Sequence, residues 1–200
     1  MEQTDVKITN LKCSVKVQVE AGLDDIQALA KAIHNWSCSR FSTYLVIKLP
    51  GSLRLIIFKP RESSSMFHVN VTGIKKFEDI NSQLQVISNL FICPLDSLRF
   101  TVDNVTAKSD AVFDLVQHHT ANKKISLNKL KTHLAQVHGE RYQLRLHTDS
   151  CCGLVIKVDG CTILVYQSGK TVIIGSKDVD KIRQIIRQLC TCIENIIVHS

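Results

Sequence analysis

Two hundred residues, 44% of them hydrophobic, are enough to bury the core of one large domain or of two halves that share one, which excludes a disordered tail protein. Charged residues make up 22%, and no apolar run approaches the roughly 20 residues a membrane-spanning helix needs. The 25 basic against 18 acidic residues give a formal charge of +7, which favours a polyanionic partner. The opening Met1-Glu2-Gln3-Thr4-Asp5 is polar and leads into no apolar segment, so no signal peptide is read and the chain is expected to stay inside a cell. Its eight cysteines then read as reduced thiols and not as a disulfide framework.

Along the chain, the spacing predicts a strand over Val6 to Val19 and a short helix over Leu23 to His34. Three strands follow, at Leu45 to Lys48, Leu53 to Phe58 and Val69 to Val71, the first two joined by the turn Pro50-Gly51-Ser52. Phe77, Ile80, Leu84, Ile87 and Phe91 fall three or four apart and predict an amphipathic helix. After Cys93-Pro94-Leu95-Asp96, too short for a flexible linker, a second long strand is predicted over Leu98 to Leu115, with His118-His119 near its end. A helix over Leu127 to His138 comes next, then strands at Leu154 to Val158, Thr162 to Tyr166 and Thr171 to Ile174. Asp159-Gly160 is a two-residue hairpin signal between the first two of these strands.

The second half repeats the first. Gly73-Ile74-Lys75 aligns with Gly175-Ser176-Lys177, 102 positions on, and the stripe Phe77, Ile80, Leu84, Ile87, Phe91 returns as Val179, Ile182, Ile186, Leu189, Ile193. Asn10 and Asn104 each close an alternating stretch. The expected architecture is therefore α+β: residues 1–95 form a first repeat and 96–200 a second. Each repeat runs strand, helix, three strands, helix, and the two build one continuous antiparallel sheet with helices on one side.

This arrangement resembles the core domain of the TATA-box-binding protein over nearly the whole chain. The most specific piece is Tyr166-Gln167-Ser168-Gly169-Lys170-Thr171-Val172-Ile173-Ile174-Gly175-Ser176-Lys177, similar to that family's aromatic-x-Ser-Gly-Lys-x-Val-x-Thr-Gly-x-Lys signature. Arg40-Phe41 leading to Leu55-Ile56-Ile57-Phe58, and Thr72-Gly73-Ile74-Lys75, are further matches. The resemblance implies a saddle whose curved sheet binds and bends promoter DNA through the minor groove, with apolar wedges between base steps; this family is itself a standard illustration of that logic.

Carried over residue by residue, the resemblance implies wedges at Phe41, Phe58 and Tyr166, with Cys151 where the fourth aromatic stands in the family. One kink is therefore expected to be weaker than the other. It implies amide contacts from Asn10 and Asn104, floor positions at Ile56, Thr72, Leu164 and Val172, and phosphate contacts from Lys48, Lys75, Lys157, Lys170 and Lys177. Lys12 and Asn70 replace family valines, and Ile174 replaces a threonine. On the helical side, Asn81, Gln83 and Gln85 stand where the second repeat has Arg183, Ile185 and Arg187, so Lys181, Arg183 and Arg187 form the basic partner-binding face. Implied partners are AT-rich double-stranded DNA and transcription factors or polymerase subunits, in the nucleus or at a viral transcription site.

Two other readings are weighed on the residues. A scaffold would keep the fold but have little intrinsic TATA binding. An enzyme finds little support: Ser168-Gly169-Lys170 lacks the frame of a phosphate loop, and Cys151-Cys152, Cys190-x-Cys192 and His133-x4-His138 match no standard zinc spacing. No catalytic constellation, metal or cofactor is expected, nor any membrane or small-molecule partner.

Overall fold

The structure, a computed structural model, describes residues 6–34, 36–60, 65–120, 123–147 and 153–198, with the backbone alone at 33 and 34. The chain divides into two compact units. Thr9–Asn104 forms the first, and the chain before Thr9 joins the residues from Val105 onward in the second.

The first unit takes most of β1 (Val6–Gln18), then α1 (Leu23–His34), β2 (Ser37–Arg40), β3 (Tyr44–Lys48), β4 (Arg54–Phe58), β5 (Met66–Ile74) and α2 (Asp79–Phe91), and ends inside β6 (Arg99–Ser109). Its strands lie in the order β2-β3-β4-β5-β1-β6. Strict alternation decides which side each residue takes. Leu45, Ile47, Leu55, Ile57, Val69, Val71, Val15 and Val17 are buried on the side where α1 and α2 pack, while their neighbours in sequence face the other way. Burying each of these side chains contributes about 2 kcal/mol. From α2 the stripe Ile80, Leu84, Ile87 and Phe91 closes the core, and Phe91 meets Phe67 edge-on at 5.4 Å.

The second unit continues β6 and adds α3 (Ala111–His119), α4 (Leu127–His138), β7 (Gln143–His147), β8 (Gly153–Val158), β9 (Cys161–Tyr166), β10 (Thr171–Ser176) and α5 (Val179–Val198), with strand order β6-β10-β9-β8-β7. Its buried side repeats the pattern with Leu154, Ile156, Ile163, Val165 and Ile173, over which lie Ile182, Ile186, Leu189 and Ile193 of α5. The Ser126 hydroxyl caps α4 by accepting from the Lys129 N–H, and Leu127, Leu130 and Leu134 turn inward.

Three elements depart from the sequence expectation. Each repeat has four strands after its helical segment, because β2 and β7 add to the edges; Ser37-Cys38-Ser39-Arg40 lacks apolar alternation and is held by backbone pairing to β3. The second long strand stops at Ser109, and a helix, α3, takes the rest, so His118 and His119 sit on its last turn. Val112 and Val116, four apart, are its buried contacts, and the Ser109 hydroxyl accepts from the Ala111 N–H at its start. Phe77 lies before α2 and is exposed, so it is not part of the core stripe.

One flaw in the first unit's packing carries a prediction. Gln83 on α2 is buried, and among the described residues its Oε1 has no hydrogen-bond partner, whereas Ile185 at the matching place on α5 is apolar and buried. A buried amide oxygen without a donor costs about 1–3 kcal/mol. Gln83→Leu is therefore expected to raise the melting temperature by roughly 2–4 °C. A thermal melt that falls instead would mean that the amide is satisfied in solution.

Candidate nucleic-acid interface

On the first unit's open side, the strand registers set side chains into cross-strand rows. Tyr44 stands opposite Phe58, Phe58 opposite His68 and His68 opposite Lys16. The next row runs Ser39, Val46, Ile56, Asn70 and Ser14, and a third runs Ser37, Lys48, Arg54 and Thr72. Phe41, in the turn after β2, donates its N–H to the Tyr44 carbonyl at 2.9 Å, and its ring stacks on Tyr44 at 4.4 Å. Tyr44 in turn lies 5.9 Å from Phe58. Phe41 and Phe58 are 45% and 37% exposed, so the three rings form an outward aromatic cluster that is held by neighbours and not buried. Arg40 secures the turn, donating to the Phe41 carbonyl and pairing with Asp24 at 3.2 Å.

The second unit's open side repeats the plan with different residues. Arg145, Val155, Leu164, Val172 and Lys108 form one row, and Gln143, Lys157, Thr162, Ile174 and Thr106 form the next. Tyr166 stands opposite Gly153, so it has no aromatic neighbour across the strand where Phe58 has Tyr44. Cys151 lies outside the described residues.

Asn10 lies on β1 and Asn104 on β6. Asn10 accepts the Gly73 N–H on its Oδ1 at 2.6 Å. An N–H can only meet the oxygen end of the amide, so Nδ2, a pure donor, is the end left over. Gly73 adopts φ +90° against the β3–β4 turn, and Gly175, its repeat partner, adopts φ +100° against the β8–β9 turn. Lys75 and Lys177 stand exposed two residues beyond these glycines. Lys170 is exposed in the β9–β10 turn, where its carbonyl accepts from the Tyr166 N–H at 3.0 Å.

Comparison with known proteins follows the same plan. The family model for transcription factor TFIID, or TATA-binding protein, matches residues 99–196. The solved structure of Methanococcus jannaschii TBP is similar with a TM-score of 0.64, at 22% sequence identity over 96% of this chain and 99% of that one. Residues 99–196 thus match the TATA-binding-protein family, and the chain as a whole has its fold.

A further similarity, to Clostridium acetobutylicum aspartate kinase, has a TM-score of 0.27 at 9% identity over 94% of this chain and 34% of that one, too low to bear on the fold. No curated protein matches by sequence. The TATA-binding-protein fold thus spans both units, and proteins of this family are DNA-binding transcription factors and not enzymes.

On the helical side of this TATA-binding-protein relative, the basic residues of α5 are partly occupied. Lys181 donates its Nζ to the Asp159 carbonyl at 2.7 Å, and Arg183 pairs with Asp180 at 2.6 Å. Arg141 holds the Asp159 carboxylate at 2.8 Å and keeps its pKa below the usual range. Of the three expected partner-binding residues, Lys181 and Arg183 therefore already serve local contacts.

Among the described residues, Cys13, Cys38, Cys93, Cys161, Cys190 and Cys192 form no disulfide. Burial, with Glu194 nearby, pushes Cys190 up to about 11, and burial also raises Cys13, Cys38, Cys93 and Cys192. Cys192 comes within 3.7 Å of the His138 Nε2, but burial raises the thiol and lowers the imidazole, so the two form a neutral contact and not a thiolate–imidazolium pair. Among the described residues no group of three or more His, Cys, Asp or Glu could hold a metal.

Tyr44, Arg145 and Lys108 went unnoticed in the sequence. The only signal for them was alternation parity with Ile56 and Leu164, and parity becomes informative once the strand register is known.

Proposed function

We propose that this chain is a transcription-initiation factor that binds promoter DNA from the minor-groove side, bends it, and recruits transcription machinery through its helices. One observation carries the reading. Each unit's open face pairs apolar or aromatic side chains in register with basic ones, and the carboxylate that meets these rows, Asp103, is engaged by the Ser14 hydroxyl. Such a surface suits a polyanion whose groove is opened by apolar wedges. Asn10, with Nδ2 as its remaining donor, suits the adenine N3 and thymine O2 acceptors of that groove, and Asn104 is its repeat counterpart. Lys48, Lys75, Lys157, Lys170 and Lys177 would position the phosphates. The place of action follows the DNA: a nucleus or a viral transcription site.

The test is a binding and bending titration of end-labelled A·T-rich duplexes at several salt concentrations. Five lysine–phosphate contacts predict a log–log salt slope of about −4.5, accompanied by a bend. A flat salt response with no bend would defeat the reading. It would favour the alternative, an interaction scaffold with little intrinsic TATA binding, which the polar break in the first unit's apolar row at Asn70 and Ser14 supports.

A further inference from the structure

We propose that Asn70 is a specificity residue that accepts the N2 amino group of guanine, so that the first unit's share of the DNA site selects a G·C pair where the second unit takes A·T. The inference rests on the minor-groove reading above.

Asn70 holds the middle of an open-face row, directly opposite Ile56 on one side and Ser14 on the other, while Val69 and Val71 beside it are buried in the core. Its side chain has no hydrogen-bond partner among the described residues, so both ends of the amide are available. Ser14 sharpens the pattern. Its hydroxyl donates to the Asp103 carboxylate at 3.0 Å, which commits its only proton and leaves Oγ as an acceptor. Two acceptors, Asn70 Oδ1 and Ser14 Oγ, therefore stand side by side on neighbouring strands.

The minor groove offers only one kind of base-edge donor, the N2 amino group of guanine; A·T pairs present acceptors alone. Against G·C, Asn70 Oδ1 accepts from guanine N2 and Nδ2 donates to cytosine O2, which satisfies the whole amide. Against A·T, Nδ2 is satisfied and Oδ1 is left facing another acceptor, which is unfavourable once water is excluded by Ile56 and Val46. In the second unit the matching place is Val172, between Leu164 and Lys108, which has no acceptor for an amino group.

Inosine isolates the contact because an I·C pair lacks only the N2 amino group. Each A·T pair of a bound duplex is replaced in turn by G·C or by I·C, and affinities are measured for the wild-type protein, Asn70→Val and Val172→Asn. Valine is well suited to a half-exposed strand position, and a thermal melt checks that both variants fold. At one position the wild type is expected to bind G·C roughly tenfold more tightly than I·C; Asn70→Val should lose that preference, and Val172→Asn should gain a second such position. Preference for I·C at every position, or a G·C preference that survives in Asn70→Val, overturns the proposal and leaves the minor-groove reading standing. Absence of salt-dependent binding to any duplex overturns both.

Discussion

Replacing Phe41 and Phe58 together with alanine is expected to abolish duplex bending and to weaken binding on the order of a hundredfold, with the salt slope unchanged. The two rings project from the open face and touch each other only through Tyr44, so alanine removes the wedges without opening the core. Prying base steps apart takes a few kcal/mol per step, and a sheet without the wedges cannot recover it through contact area. The lysines remain, so the electrostatic part of binding persists. Energy transfer between dyes at the duplex ends reads the bend, and affinities at two salt concentrations separate the two contributions. Because both side chains are more than one-third exposed, the stability loss should stay near 1 kcal/mol for each, and a bend that survives in a folded double variant would remove the wedge role. Tyr166→Ala should cost less, since Gly153 gives that ring no partner across the strand.

Gly73→Ala is expected to destabilise the first unit by at least about 3 kcal/mol, lowering its melting temperature on the order of 10 °C. Two effects combine. A φ of +90° disfavours any residue with a Cβ, and the added carbon would overlap the Ser52 carbonyl oxygen and lie 2.7 Å from its carbonyl carbon. Both are backbone atoms of the β3–β4 turn, so the turn would have to move, and with it the Asn10 contact to the Gly73 N–H. Gly51→Ala is the control: its φ is +75°, but a Cβ there meets nothing within 4 Å, so only the dihedral penalty of about 1 kcal/mol applies. Equal shifts in the two variants would show that the close approach to Ser52 contributes nothing.

The repeat and its helices were legible because a 3.6-residue stripe survives in one dimension. Ile80, Leu84, Ile87 and Phe91 announce α2 without any knowledge of what they pack against. Elements whose stability comes from partners were not legible. β2 has four residues and no apolar alternation, and it exists because β3 offers an unpaired edge. The run Ala111-Val112-Phe113 is as apolar as the strand before it, and the switch to α3 depends on Val112 and Val116 finding the same buried side. Phe77 continues the stripe on paper but precedes the helix, so nothing orients it inward.

The sequence by itself determined the two-fold repeat, the α+β class, the glycines at 73 and 175, and the family resemblance, because each depends on residue type and spacing along one chain. Only the tertiary structure decided which polar side chains are already engaged. Asn10 has given its oxygen to Gly73, Lys181 and Arg183 are tied to Asp159 and Asp180, and Ser14 has given its proton to Asp103. It also decided that Tyr44 joins Phe41 to Phe58 and that Asn70 stands between Ile56 and Ser14. Those relations are set by strand register, and a register is an agreement between segments that lie far apart in the chain.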